Sequence, residues 1–334
     1  RMNTIVIDCG ASFIKAALIN EHGKMVQRVE KHAPVVHGSE LITELSQING
    51  LVELVKGIVI ALAGNEPRVR LSIANEMHGF ILAFPDGKPF TDYISWQKEY
   101  GLLQIDGCTS IDLLNCDKLS DHVVRSGMKL RAGLPNSNLL YIYRGRIAKE
   151  NETYHFYTLG DYLIKRIFNT EPVCHPTNAA ATGLFDLETN AWNRELILAC
   201  KAQNVVFPVV GNTIHEAGLG NTIYERYPAV GDQQAALFGA GVRNEGDLSF
   251  NLGTGAQVSK IERRLSFSDE YQLRPFISGN YIRTIPHLPS GRAMNVYIRF
   301  FLDVFREFGD SKSEEEIWSV IISSASKCMS SNLK

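Results

Sequence analysis

One pattern occurs twice in this chain and limits what it can become. It is a short apolar strand, a turn of small residues built on glycine, and a second strand. The first copy runs Thr4-Ile5-Val6-Ile7-Asp8, Cys9-Gly10-Ala11-Ser12, then Lys15-Ala16-Ala17-Leu18-Ile19, and residues 24–29 alternate as a third strand. The second copy runs Leu248-Ser249-Phe250-Asn251, Gly253-Thr254-Gly255, then residues 256–261, with residues 281–285 as its third strand. Two copies far apart in sequence imply a duplicated α/β domain with a cleft between the halves. The plainer reading is two ordinary hairpins, whose signals are common. Further strands are expected over residues 57–62 and 69–73. Helices are expected around residues 139–148, 161–167 and 293–308.

The 334 residues, 45% of them hydrophobic, suffice for a buried core in roughly two domains. A net charge of −2 argues against a sequence-independent nucleic-acid surface, which needs a basic excess. No run approaches the ~18 apolar residues of a membrane span, and the N-terminus lacks a signal-peptide layout. The six cysteines (Cys9, Cys108, Cys116, Cys174, Cys200 and Cys328) form no Cys-x-x-Cys pair, so reduced thiols and a cytoplasmic setting are expected.

The glycine turns suit phosphate, because backbone N–H groups can approach its oxygens where no Cβ intervenes. Gly10 and Ser12 in the first turn, and Gly253, Thr254 and Gly255 in the second, are the candidate phosphate contacts. Lys15 is a candidate phosphate cation or equally a solvated strand lysine. Asp8 ends the first strand with a carboxylate that can hold a hydrated magnesium ion through water. Gly-x-x-x-x-Gly-Lys-[Ser/Thr] is absent, which excludes a P-loop. Ser12-Phe13-Ile14-Lys15 matches a Ser-x-x-Lys acyl-enzyme signature, but it joins two strands and its companion Lys-Thr-Gly is missing.

Between the two copies, Gly231-Asp232-Gln233-Gln234-Ala235-Ala236 places an acid at a helix start. Asp232 can act as the helix N-cap, and it can also accept the proton of an attacking hydroxyl. Phosphoryl transfer to an alcohol needs one such carboxylate, with positioning and charge stabilisation supplying the rest. The two roles are compatible.

These segments resemble the FGGY carbohydrate kinases. Residues 8–15, Asp8-Cys9-Gly10-Ala11-Ser12-Phe13-Ile14-Lys15, are similar to the first phosphate motif, although Ala11 stands where threonine is usual. Gly231 to Ala236 resemble the catalytic-base motif, and Asn251 to Gly255 the second phosphate motif. Glu76-Met77-His78-Gly79 is similar to the Gln-Met-His-Gly of xylulose and sedoheptulose kinases, and Ser95-Trp96-Gln97 leans toward the latter. Asn178-Ala179-Ala180, Gly183 to Asp186 and Trp192 follow in the family's order. The resemblance covers the chain to about Phe301.

The resemblance implies duplicated ribonuclease H-like domains of the actin/hexokinase/Hsp70 type. An N-terminal domain would span residues 1–244, and a partial C-terminal one 245–334. It implies ATP-dependent phosphorylation of a small ketose, with Asp232 as base and Asp8 and Asp232 toward Mg2+. Met77, His78, Trp96, Gln97 and Asp232 would touch the sugar. The segment that holds adenosine in the family has no counterpart here, which makes a weak or inactive sugar-binding relative the alternative. A small-molecule sugar is the expected partner, with no nucleic acid or membrane, and homodimerisation is left open.

Overall fold

β1 (Thr4–Cys9) alternates in burial, with Ile5, Ile7 and Cys9 inside and Val6 and Asp8 exposed. The computed structural model describes residues 2–34, 46–252, 256–277 and 279–329. Gly253, Thr254 and Gly255 of the second turn therefore lie outside the described residues. β1 pairs antiparallel with β2 (Phe13–Ile19), which pairs antiparallel with β3 (Met25–His32). The chain then crosses through helix α1 (Ser46–Ala63) into β4 (Arg68–Asn75), which lies parallel to β1.

Residues 57–62 were expected as a strand, and they form the last third of α1. The reason is in the spacing. Leu51, Val52, Val55, Ile58, Val59 and Leu62 are all buried and fall on one helical face. That face, with Leu163, Ile164 and Ile167 of the helix Leu159–Phe168, packs on Ile5, Ile7, Leu71 and Ile73 of the sheet.

The strands His215–Leu219 and Thr222–Arg226 extend the sheet beyond β4, and Val230–Gly231 also pairs with β4. A second core gathers Phe80, Leu82, Leu139, Ile142 and Phe156. It is built on the small sheet of Ile81–Ala83, Tyr154–Tyr157 and Val205–Val206, and on the helix Pro135–Arg144, which has proline in its first turn. Trp192 stacks there edge-on to Phe156 and donates its indole N–H to Pro208 O at 2.7 Å, a packing role.

By contact density the chain divides into two units. One comprises residues 1–247 and 261–283, the other 248–260 and 284–334. Within the second, the strand Leu248–Leu252 pairs antiparallel with residues of Ala256–Glu262, and Ser259 and Thr284 share a hydroxyl hydrogen bond. The expected helix at residues 293–308 is Gly291–Glu307, and Glu314–Met329 follows, opening on its three glutamates. Phe300, Phe301 and Phe308 are exposed. Among the described residues, no helix is long and apolar enough to cross a membrane.

Candidate active site

The backbone register explains why distant motifs meet. Val230 and Gly231 lie parallel to Ala74 and Asn75, so the two residues that follow, Asp232 and Glu76, leave the sheet side by side. Gly231 is required there by close approach. A Cβ on it would stand 2.3 Å from Met77 Sδ and 2.6 Å from Gln234 Oε1. Its N–H donates to Thr177 Oγ1 at 3.0 Å. Asn178 fixes the same junction, donating to Asn75 Oδ1 at 2.9 Å and to Ala229 O at 2.8 Å.

Asp232 opens the helix Asp232–Gly239 as its first residue, and the capping position falls to Gly231. The sequence expectation of Asp232 as N-cap is thus displaced by one residue, because Gly231 alone fits against Met77 and keeps the extended backbone that a cap needs. The Asp232 carboxylate accepts the Gln233 N–H at 2.7 Å. Burial raises its pKa and the negative charge of Asp8 adds to this, while the Gln233 amide and Arg274 oppose.

Glu76 is nearly buried, and burial followed by the charge of Asp232 lifts its carboxyl to about 7, against a hydrogen bond from the Trp96 side chain. Its Oε1 and the Tyr93 hydroxyl are buried without a hydrogen-bond partner among the described residues. Met77 is buried beneath Gly231, which places its side chain in the packing that supports Asp232.

His78 adopts the left-handed backbone region at φ 65°, and Gly79 follows because a Cβ there would strike the Tyr93 ring. Burial, then the charges of Arg274 and Arg131, hold the imidazole pKa well below its ordinary range. A neutral ring with Nδ1 2.7 Å from Ala181 O carries its proton on Nδ1, which leaves Nε2 as an acceptor. Trp96 is 49% exposed, a flat apolar face tied to Glu76, and Gln97 beside it is exposed. Sequence reasoning thus assigned Met77, His78, Trp96, Gln97 and Asp232 and missed Glu76, Tyr93, Arg131 and Arg274. Glu76 could have been found from its place in the Met-His-Gly motif. Arg274 carries no local signal.

On the face of the sheet opposite α1, Asp8 and Lys15 are register partners on β1 and β2. They border a cavity of about 830 Å³ with Ala235 and Phe238 of the Asp232 helix. In the first turn the Gly10 N–H donates to Phe13 O at 3.2 Å, closing the hairpin, and Ala11 and Ser12 are exposed. The charge of Asp8 is one of the influences that raise the Asp232 carboxyl.

Residues 3–239 match the N-terminal domain of the FGGY family of carbohydrate kinases. The chain belongs to that family. It is 27% identical over 256 residues to glycerol kinase 5 of Danio rerio, an alignment covering 69% of this chain and 48% of that protein. The xylulose kinase of Lactobacillus acidophilus superposes with a TM-score of 0.69 at 18% identity, over 86% of this chain and 60% of that one. The glycerol kinase of Plasmodium falciparum with ADP gives 0.70 at 15% identity, over 90% and 64%. The fold is therefore the ribonuclease H-like fold of those kinases, as the sequence implied. This FGGY chain spans about half the length of that curated glycerol kinase.

Proposed function

We propose that this chain takes part in ATP-dependent phosphorylation of a hydroxyl on a small ketose of the xylulose or sedoheptulose kind, with Asp232 as general base. The observation that carries the reading is the parallel pairing of Val230–Gly231 with β4, which sets Asp232 beside Glu76 and the Met77-His78 segment. Asp232 accepts the proton of the attacking hydroxyl; the helix N-terminus and the Gln233 amide favour its ionised form, against the burial that raises its pKa and makes it a stronger base. His78 Nε2 accepts a hydrogen bond from a sugar hydroxyl, and Trp96 offers its face to the C–H side of the ring. Met77 supports Gly231 from below. Gln97 lies at the exposed edge, within the same segment as Trp96.

Ser12 and Lys15 are the first-turn contacts proposed for the nucleotide's phosphates, Gly10 keeping that turn tight; Gly253, Thr254 and Gly255 are proposed as a second phosphate turn on the sequence alone, since they lie outside the described residues. Asp8 and Asp232 would hold Mg2+ through water, and that ion supplies charge neutralisation at the phosphates when bound.

Ligand binding tests the reading. Ketoses of five to seven carbons should raise the melting temperature by mass action on the native state, and His78→Ala should weaken the effect. Stabilisation by glycerol or aldohexoses, with none by ketoses, would overturn the substrate assignment.

A further inference from the structure

Trp192 and Trp96 are held in opposite ways. Trp192 packs its ring against Phe156, Phe185 and Phe207 and gives its N–H to a backbone carbonyl. Trp96 is half-exposed, and what fixes it is polar. Its indole N–H, the one donor a tryptophan side chain has, goes to the Glu76 carboxyl. Among the described residues no other side chain bonds that carboxyl, whose Oε1 is buried without a partner.

The backbone of Trp96 is pinned as well. It lies in a turn closed by the Lys98 N–H on Ser95 O at 3.0 Å, and Ser95 is buried. Gly133 comes so close behind that a Cβ on it would strike Trp96 O. Buried Asn138 donates to Lys98 O at 2.8 Å from the same side of the turn's end. An apolar face kept in one place yet left half in water pays the ordering entropy without the full gain of burial. That pre-ordering favours a ligand, which then need not immobilise the ring itself.

The place of Glu76 decides where the ring is tied. Its N–H donates to Cys9 O at 3.0 Å, at the end of β1, and the pairing of β4 with Val230–Gly231 sets it beside Asp232. Glu76 thus stands between the strand that leads into Gly10 and the base.

We propose that Glu76 is a positioning residue that holds Trp96 by its indole N–H as a fixed apolar platform next to the base, so that acceptor affinity depends on this hydrogen bond. The inference rests on the reading of Trp96 and Asp232 as the acceptor site and adds what keeps the platform in place. Glu76 acts here through a lone pair, not through its charge. Glutamine can supply the same acceptor oxygen, and leucine, of similar bulk, cannot.

Titration of the full chain with D-xylulose, with acrylamide quenching of tryptophan emission alongside, tests this in wild type, Glu76→Gln and Glu76→Leu. Trp96→Phe identifies the emission that Trp96 contributes beside Trp192 and Trp318. Glu76→Leu should bind xylulose about three- to ten-fold more weakly, the worth of one hydrogen bond, and its Trp96 should be quenched more readily. Glu76→Gln should keep wild-type affinity and quenching. Trp96→Phe keeps an apolar ring without the N–H and should weaken binding at least as much as Glu76→Leu. Adding Glu76→Leu to it should cost nothing further. If Glu76→Leu does not fold, Glu76→Gln and Trp96→Phe decide. Wild-type affinity in Glu76→Leu or Trp96→Phe, or additive losses in the double variant, overturns the proposal while leaving the acceptor reading intact. A Glu76→Gln variant as weak as Glu76→Leu also overturns it, because the charge is then what matters. If wild type binds no xylulose, the acceptor reading falls and the platform falls with it.

Discussion

Gly231→Ala isolates the contact that seats the base. The backbone at this position, φ −64° and ψ 139°, is open to any residue, so alanine brings no dihedral strain and the whole effect is steric. The new methyl would stand 2.3 Å from Met77 Sδ, 2.9 Å from its Cγ and 2.6 Å from Gln234 Oε1, where ordinary contact is 3.4–4 Å. Neither neighbour can simply swing away, because Met77 is 6% exposed and Gln234 0%. Gln234 is also tied to Pro275 O at 3.3 Å. Overpacking of this kind costs about 1–3 kcal/mol. Urea unfolding should show that loss as a lower midpoint with unchanged slope. Met77→Ala alone should cost about 2–5 kcal/mol by opening a cavity. In the double variant the alanine methyl occupies part of that space, so the two losses should fall short of additivity by about 1 kcal/mol or more. A Gly231→Ala variant within about 0.5 kcal/mol of wild type, or strict additivity with Met77→Ala, would refute the claim that this approach positions Asp232.

Two further outcomes are expected. Burial raises fully buried Asp161 from 3.8 to about 6, against hydrogen bonds from Thr158 and Cys174. The native state therefore keeps a proton that the unfolded chain has released, and stability present below pH 4 is lost as pH rises through 6, by about 3 kcal/mol. Asp161→Asn should flatten denaturant-midpoint profiles across that window, and a profile parallel to wild type would contradict the assignment. Thr177→Val removes the acceptor of the buried Gly231 N–H and the hydroxyl 2.8 Å from His175 Nδ1, and should cost about 1–3 kcal/mol in the same assay. A loss indistinguishable from zero would mean that water or a shifted backbone replaces it.

Much of this was legible because local chemistry agreed with the final fold. The β-branched run before Gly10 became β1, and the alternation after it became β2 and β3, since a hairpin needs no distant partner to be recognised. Residues 57–62 misled for a physical reason. Gly57-Ile58-Val59-Ile60-Ala61-Leu62 has strand-like composition, and only the wider spacing back to Leu51 reveals the helical face that the sheet requires. Asp232 and His78 were found because each sits in a short motif. Glu76 stands in the same motif, but its raised pKa comes first from burial and then from the charge of Asp232, a residue more than 150 positions away, and neither can be read locally. Arg274 was invisible for the same reason, being placed beside Asp232 and His78 by tertiary packing alone.

The central claim is that Asp232 is the base. Its most direct test is steady-state phosphoryl transfer from ATP to a ketose by wild type and Asp232→Asn, with sugar binding measured alongside. Asparagine keeps the size of the side chain, and its amide oxygen can still accept the Gln233 N–H that now bonds the carboxylate at 2.7 Å. The fold and the sugar affinity should therefore persist, while turnover falls by on the order of 10²-fold or more. Near-wild-type turnover by the asparagine variant of an active chain would contradict the account.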